Sequence, residues 1–464
     1  MTVQIITAST LFGVATVAAA WDAGALRRRE RTLLVVQHDV PVPEAHPAFP
    51  QGPGFASLAD RFDRVVGWNE VVEPHHPTRW TPRADDVPLW QRLLRGRWGL
   101  GDEPVEIVGE SVATAPTSAL VAIFSGAAVT GCGDGLRAYG PARNALPHDV
   151  GGRVSALLHL DLLPGVRPAS LEEWDVPTTV VPSESFRKVV AGLADPADGE
   201  VLAEGLPQAG GYGLVVGQNL APAGLVTPDQ EAALHRSMVR TAAERGFTEV
   251  VLKPHPSAHR HGAGELARHA RTLGVTLRTA PPGVLAEQLF DAAPPGLVVS
   301  CFSTALATAS AVFGLPTASV GTAMLLERLE PFANGDRVPA VAVDALGRPD
   351  GAWRDPRRLE QLVRAVAYCQ QPRHLERFRA GTADLLAGLD EADLALWFDR
   401  KRLTALGLPG GSRLSPWRSV RLLAVADALD RRTGGALRRL ARERYTRAGD
   451  DVRAGMGAVE ARRG

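Results

Sequence analysis

The chain has 464 residues, more than one ordinary hydrophobic core holds, so two or three structural units are expected. Its 51 basic and 51 acidic residues cancel, so no global electrostatic field favours nucleic acid as a partner. Three cysteines without CxxC spacing argue against a disulfide framework or a zinc knuckle and are typical of a reducing, cytoplasmic protein.

The N-terminal stretch predicts a strand, a turn and a helix. The apolar run from Ile5 to Ala20 has no Lys or Arg before it and Asp22 close behind it, which disfavours a secretion signal. "VQIIT" has strand composition, Ser9 and Thr10 are capping candidates, and "FGVATVAAAWDAGAL" has helical composition. The runs "RTLLVV", "RVVGW", "VEIVGE" and "GAAVTGCGDG" repeat the strand signal. Residues 1–150 therefore predict a Rossmann-like domain with a parallel sheet.

The rest of the chain divides into three further parts. Residues 151–212 are rich in Pro, Asp and Gly and predict a connecting region. A second strand-helix series fills 213–355, with Thr227 as helix N-cap and Pro228 at the first helical position. Residues 356–464 predict a helical segment that partly packs across the lobes. The expected fold is α/β, with two facing Rossmann-like domains.

Polar residues follow four of the predicted strands. They are "TAST" at 7–10, "GCGDG" at 131–135, "KPHPS" at 253–257 and "SCFST" at 300–304. Open parallel sheets bind ligands outside the carboxyl ends of their strands. A cleft between the lobes is thus predicted, with the acceptor on one side and the donor on the other.

His255 lies between two prolines, and two interpretations of it remain open. Pro254 and Pro256 fix the backbone on both sides, so the imidazole stands on a stiff corner where it could neutralise a phosphate. A histidine at a strand end also satisfies backbone carbonyls in many proteins. Lys253 is one of only three lysines among the 51 basic residues, which favours function slightly.

Two other strand ends carry candidate groups. After the strand from Leu297, Ser303 and Thr304 lie where a helix begins, which suits an anion, although Ser303 could be a plain N-cap. Asp134 lies between glycines that leave its carboxylate accessible as a general base, although Asp-Gly is also an ordinary turn pair.

These stretches together resemble a known family. "ASTLFGVATVAAAWD", "GDGLRAY", "GLVVGQNL", "VLKPHP" and "SCFSTALATASAVFG" are similar to the bacterial α-2,8-polysialyltransferase family and its sialyltransferase relatives, over about residues 1–325. The resemblance implies a GT-B fold and CMP-sialic acid as donor. It makes Asp134 the base and His255 the group on the CMP phosphate. One departure is Gly133, where the family often has a second acid.

The resemblance also implies which residues surround the two substrates. The donor side comprises Lys253, Pro256, Ser303, Thr304, Ser300, Gln218 and Asn219. The acceptor side comprises Ser9, Thr10 and Gly135. The predicted partners are a CMP-linked sugar and a glycan or glycolipid, with no cofactor and no metal, because the sequence lacks HExxH and a strand-end DxD. Pro256 also prevents one helix from carrying His255, His259 and His261.

Several alternatives stay open at this point. "SPWRSVRLLAVADALDRR" near the C-terminus could form a basic amphipathic helix at the inner face of the membrane, although packing against the lobes is the default. CDP-glycerol transferases and sugar-nucleotide epimerases share the architecture. A nucleotide-binding homologue with weakened catalysis is a third alternative, and Gly133 is its main support.

Overall fold

The structure is a computed structural model that describes residues 1–40, 43–45, 47–142, 146–193, 206–256, 263–281 and 283–412. The chain divides into a unit of residues 1–385, which holds both sheets, and a unit that begins at Leu386. The basic amphipathic stretch expected near the C-terminus, together with His259 and His261, lies outside the described residues.

The first sheet has seven parallel strands in the order β3-β2-β1-β4-β5-β6-β7. They are β1 (Val3–Ala8), β2 (Arg31–Val36), β3 (Arg64–Gly67), β4 (Val105–Gly109), β5 (Ala128–Cys132), β6 (Val154–Leu160) and β7 (Thr178–Val181). The central strands are apolar because helices cover both faces; all six residues of β1 are buried.

The connecting region expected at 151–212 contains two strands of this sheet. Val154–Leu160 pairs with β5, and Thr178–Val181 forms the edge. The Pro-, Asp- and Gly-rich stretch that suggested a connection, residues 193–211, follows β7, and most of it lies outside the described residues. The first domain therefore extends beyond residue 150, at least to Val181.

The second sheet has five parallel strands in the order β10-β9-β8-β11-β12. They are β8 (Gly213–Val216), β9 (Glu249–Lys253), β10 (Thr276–Thr279), β11 (Leu297–Ser300) and β12 (Thr317–Ser319). In both sheets the first strand of the series lies in the middle and the order reverses beside it, as in Rossmann folds. The prediction of two Rossmann-like domains of the GT-B type is confirmed.

Helices surround the sheets and continue after them. Those of the first sheet are α1 (Leu11–Asp22), α2 (Phe55–Ala59), α3 (Trp68–Val72), α4 (Val87–Trp98), α5 (Thr117–Ile123), α6 (His148–Gly151) and α7 (Ser183–Ala191). Those that follow are α8 (Pro228–Glu244), α9 (Ala263–Thr272), α10 (Ala286–Ala292), α11 (Thr304–Ala307), α12 (Thr322–Leu326), α13 (Arg337–Leu346), α14 (Pro356–Gln370), α15 (Arg379–Gly388), α16 (Glu391–Trp397) and α17 (Arg400–Leu406).

Local signals explain several of these boundaries. Thr10 caps α1 by accepting a hydrogen bond from the backbone N–H of Gly13. Thr227 caps α8 and Pro228 takes its first position, as predicted, and Gln230 completes a capping box with Thr227. Within the described part of the chain, no helix has the length and apolarity needed to cross a membrane.

Candidate active site in the cleft between the two sheets

The reversal of strand order places two sets of polar residues at the centre of the cleft. In the first sheet the reversal lies between β1 and β4, so Ser9 and Glu110 follow its two strands. In the second sheet it lies between β8 and β11, which are followed by Gln218 and by the segment 301–304. Ligands of doubly wound sheets bind at this point.

Glu110 organises the strand ends of the first sheet. Its Oε2 accepts hydrogen bonds from the backbone N–H of Ser9 at 2.9 Å and from Ser9 Oγ at 2.6 Å. Its Oε1 accepts one from Thr10 Oγ1 at 3.3 Å. The two hydroxyls predicted for the acceptor side are thus brought together by an acid that the sequence analysis did not select.

Glu110 belongs to a group of three acids at the carboxyl ends of β2, β4 and β5. Desolvation by the surrounding protein and repulsion from Asp134 raise the pKa of the half-buried Glu110 to about 8. Desolvation first, and Asp134 second, also raise the pKa of Asp39. The first sheet therefore places three carboxyl groups near one another at the cleft, where the negative charge of one disfavours ionisation of its neighbours.

Asp39 and Asp134 are both exposed members of this group, and the sequence analysis selected Asp134. Its side chain is 48% exposed, and its Oδ2 lies 3.8 Å from a guanidinium nitrogen of Arg137. An exposed carboxylate at a strand end can reach an acceptor hydroxyl, as a general base must.

Gly133, where the resembled family often has an acid, leaves no room for a side chain. A Cβ at this position would lie 2.9 Å from Ala138 Cβ and 3.2 Å from His159 Cβ. The glycine is therefore required by local packing, and its presence does not by itself indicate a weakened enzyme.

The residues after Asp134 touch the second sheet's lobe. Gly135 adopts φ +54°, and a Cβ there would lie 2.4 Å from Thr304 Oγ1. The backbone N–H of Leu136 donates a hydrogen bond to the same Thr304 oxygen at 3.3 Å. The predicted acceptor-side Gly135 and donor-side Thr304 thus meet across the cleft.

Arg137 makes a second contact between the lobes. Its Nε donates to Asp336 Oδ1 at 2.9 Å, just before α13, while the same guanidinium faces Asp134. The charges of Asp336 and Asp134 raise the pKa of Arg137 despite its partial desolvation. One cation therefore lies between the candidate base and an acid of the second lobe.

On the second sheet, β9 ends in Lys253 and leads to His255. Lys253 is buried, and its Nζ donates to the backbone oxygen of Pro254 at 3.2 Å. Burial lowers its pKa, and the buried Glu287 partly offsets that effect. Water reaches the His255 ring, but the protein around it and the nearby Lys253 lower its pKa to about 4. The imidazole is therefore neutral at pH 7.

Two other residues predicted for the donor side, Ser300 and Gln218, make hydrogen bonds within the second lobe. Ser300 is fully buried, and its hydroxyl donates to the backbone oxygen of Val216 at 2.7 Å, so it faces the sheet and not the cleft. Gln218 accepts from the backbone N–H of Phe302 at 3.0 Å and thereby links the ends of β8 and β11. Ser300 and Gln218 therefore stabilise the ends of β8 and β11 and the loop that follows β11.

The remaining predicted residues lie at the surface of the same loops. Ser303 caps α11 by accepting from the backbone N–H of Ala305 at 3.2 Å, and the helix widens into a π-helical turn at Thr308–Val312. Asn219 is half-buried after β8, and Pro256 is exposed beyond His255. Ser303 is thus at least an N-cap, as its simpler interpretation required.

The sequence analysis missed Asp39, Glu110, Arg137 and Asp336. Glu110 directly follows β4 and Asp39 lies in the loop just after β2, so the strand-end argument that selected Asp134 also applies to them. The last two are brought together only by the tertiary fold. Among the described residues, no three His, Cys, Asp or Glu side chains are placed to hold a metal ion.

Two facing Rossmann-like sheets, with a carboxylate, a histidine and hydroxyls at their strand ends, have the architecture of the GT-B class of glycosyltransferases. The model of the alpha-2,8-polysialyltransferase family matches residues 4–322, which is more than half of the chain. The chain therefore belongs to the alpha-2,8-polysialyltransferase family. No curated protein matches the sequence significantly.

Solved structures show only distant likeness. The GT-B domain of a sialyltransferase from Photobacterium damselae is 11% identical, with a TM-score of 0.39, covering 74% of this chain and 96% of that one. A 2,6-sialyltransferase of Photobacterium sp. JT-ISH-224, in complex with CMP and lactose, is 11% identical, with a TM-score of 0.38, covering 66% and 69%. UDP-GlcNAc 2-epimerase from Neisseria meningitidis is 12% identical, with a TM-score of 0.44, covering 82% and 94%. The assignment therefore rests on the family match and the topology of the sheets.

Proposed function

We propose that the enzyme transfers sialic acid, or a related ulosonic acid, from a CMP-activated donor to a hydroxyl of a glycan or glycolipid. Asp134 is the general base, and His255 stabilises the departing CMP. The observation that carries this proposal is the contact of Gly135 and Leu136 with Thr304. Because of that contact, the strand end with the carboxylate faces the strand end with the hydroxyls, within one cleft.

The chemistry needs only groups of the kinds found at these strand ends. The acceptor oxygen forms a bond to the anomeric carbon of the donor and gives its proton to Asp134. The bond from that carbon to the phosphate oxygen breaks, and its electron pair stays on CMP. A carboxylate for the proton and donors for the phosphate suffice for this exchange.

His255 is suited to a charge that increases during the reaction. In the free protein its ring is neutral at pH 7, because its pKa is lowered to about 4. A bound phosphate favours the protonated ring and raises that pKa. The ring can therefore bind the donor as a neutral hydrogen-bond donor and gain positive character as CMP leaves.

Nucleotide preference tests the donor assignment. At equal concentration, CMP should raise the melting temperature more than UMP or ADP, because the proposed second-lobe site is that of a CMP-sugar. A ligand at 100 times its Kd adds about 2.7 kcal/mol to the free energy of unfolding. Equal shifts with all three nucleotides would contradict the CMP assignment, and differential scanning fluorimetry suffices to measure them.

A metal-independent reaction is part of the proposal, because the proton and the phosphate charge are both assigned to side chains. Transfer measured after exhaustive treatment with EDTA should retain most of its rate. Loss of transfer that Mg²⁺ or Mn²⁺ restores would show that the phosphate charge is neutralised by an ion and not by His255 and Lys253.

A further inference from the structure

The guanidinium group of Arg137 is held on one edge and open on the other. Arg137 lies in the 3-10 turn Gly135–Tyr139, which directly follows the candidate base Asp134. Its Nε donates a hydrogen bond to Asp336 Oδ1 at 2.9 Å. Nη1 and Nη2 make no hydrogen bond to any residue that the structure describes, and the side chain is 62% exposed. The edge that carries these two nitrogens is therefore available to a further partner.

The turn that carries Arg137 is fixed by contacts within the protein. Its last residue, Tyr139, is fully buried, and the Tyr139 hydroxyl accepts a hydrogen bond from the backbone N–H of Leu162 at 3.0 Å. The backbone N–H of Leu136 donates to Thr304 Oγ1 at 3.3 Å. Arg137 is thus anchored through the backbone of its turn and, at its Nε, by an acid of the second lobe. A ligand that binds its open edge therefore has little of the side chain left to order.

Arg137 brings a positive charge to a part of the cleft that holds three acids. Asp39, Glu110 and Asp134 lie close enough to disfavour ionisation of their neighbours. Nη1 of Arg137 lies 3.8 Å from Asp134 Oδ2, which is too far for a hydrogen bond, so this carboxylate leaves the open edge unbonded. The acids repel an anionic ligand, and the arginine offsets that repulsion. An anionic group that must approach Asp134 is therefore expected to bind at Arg137.

The chemistry of the proposed donor brings one such group to Asp134. In an ulosonic acid the carboxylate is bonded to the anomeric carbon. The acceptor oxygen forms its new bond to the same carbon, and a general base lies about 2.6–3.2 Å from that oxygen. The donor's carboxylate therefore lies beside the base during transfer, whereas the phosphate is assigned to His255. The two nitrogens at the end of a guanidinium group bind a carboxylate through two parallel hydrogen bonds.

We propose that Arg137 is a specificity-determining residue of the donor site. Its Nη1 and Nη2 bind the carboxylate of the ulosonic acid, while Asp336 holds the guanidinium group through Nε. The inference rests on the proposed function and adds to it the group that recognises the transferred sugar. Donors whose sugar lacks a carboxylate at the anomeric carbon make no such bonds, so Arg137 selects ulosonic acids over ordinary hexoses.

Calorimetry with three ligands tests the proposal without any transfer. The ligands are CMP, an unreactive CMP-sialic acid analogue that carries fluorine beside the anomeric carbon, and the methyl ester of that analogue. In Arg137→Gln the affinity for the acid analogue should fall about 10- to 100-fold, because hydrogen bonds to a charged group are lost. The affinities for CMP and for the ester should be nearly unchanged, since neither ligand has the carboxylate.

Two further variants serve as controls. Arg97→Gln removes another exposed arginine of the first lobe, whose Nη2 lies 3.9 Å from Glu70 Oε2, and it should leave all three affinities unchanged. Arg137→Lys keeps the charge but not the paired N–H groups, so it should lose part of the affinity for the acid analogue. The melting temperature of each variant checks its folding. Should Arg137→Gln fail to fold, Arg137→Lys carries the test by the same comparison of ligands.

The outcomes separate this inference from the proposed function. Equal losses of affinity for all three ligands in Arg137→Gln, or an unchanged affinity for the acid analogue, would overturn the role of Arg137 and leave the CMP donor standing. Equal binding of the acid and the ester by the wild type would do the same. A wild type that binds none of the three ligands would refute the proposed function and this inference together.

Discussion

Replacing Asp134 by Asn is expected to abolish transfer while leaving the affinity for CMP nearly unchanged. In the proposed mechanism, the base acts on the acceptor hydroxyl from the first lobe, and the nucleotide binds to the second lobe. Loss of a general base lowers the rate typically by about 10² to 10⁴. The substitution should preserve the fold, because the side chain of Asp134 caps no helix and is 48% exposed.

Initial rates of transfer and calorimetry with CMP should be measured on the same preparation of Asp134→Asn. The melting temperature serves as the control for folding. A folded variant that transfers at the wild-type rate, or one that no longer binds CMP, would show that Asp134 is only the turn residue its flanking glycines suggest.

His255→Ala is expected to weaken both CMP binding and transfer. In the proposed mechanism, the ring contacts the phosphate in the ground state and more strongly as CMP departs, so kcat and KM should both change. Removing a preorganised donor to a developing oxyanion costs about 10² to 10³ in rate. Asp134→Asn and His255→Ala should therefore differ in kind, since only the second reduces nucleotide affinity.

The matched control for this variant is His148→Ala. His148 is an exposed histidine of α6, which precedes β6 and so lies near the amino end of that strand, away from the carboxyl ends. This control should retain CMP affinity. An unchanged CMP affinity in His255→Ala would contradict contact between the ring and the phosphate.

The protonation of His255 should also be visible in binding to the wild type. Phosphate raises the ring's pKa from about 4, so the bound state holds more protons than the free state in the interval between the two pKa values. CMP affinity should increase as pH falls within that interval. Calorimetry in buffers of different ionisation enthalpy should detect proton uptake, and His255→Ala should lose it.

The parts of the fold that depend on residues close together in the sequence could be predicted from it. The N-cap Thr227 followed by Pro228 and the strand-helix alternation are local, and each appears in the structure where it was expected. β6 and β7 were missed because the Pro, Asp and Gly content of residues 151–212 suggested a connection and outweighed the two strand signals within it. Their pairing with β5 is a property of the sheet as a whole.

The residues of the candidate site also divide into those that the sequence indicates and those that only the tertiary fold brings together. Asp134, His255 and Ser303 were selected because strand ends and prolines are visible in the sequence. Glu110 could have been found by the same argument, since it directly follows the apolar strand "VEIVG". Contacts such as Arg137 with Asp336, about two hundred positions apart along the chain, become visible only in the folded protein. Burial of Ser300 likewise depends on the packing of β8 against β11.

The segment that carries the base is also the segment that joins the lobes. Leu136 bonds to Thr304 and Arg137 bonds to Asp336, so any separation of the lobes at this point breaks both bonds. Under the proposed mechanism, such a separation would withdraw Asp134 from the donor. A donor bound to separated lobes would then meet water with no base beside it, so catalysed hydrolysis of the donor would require the same contacts as transfer does.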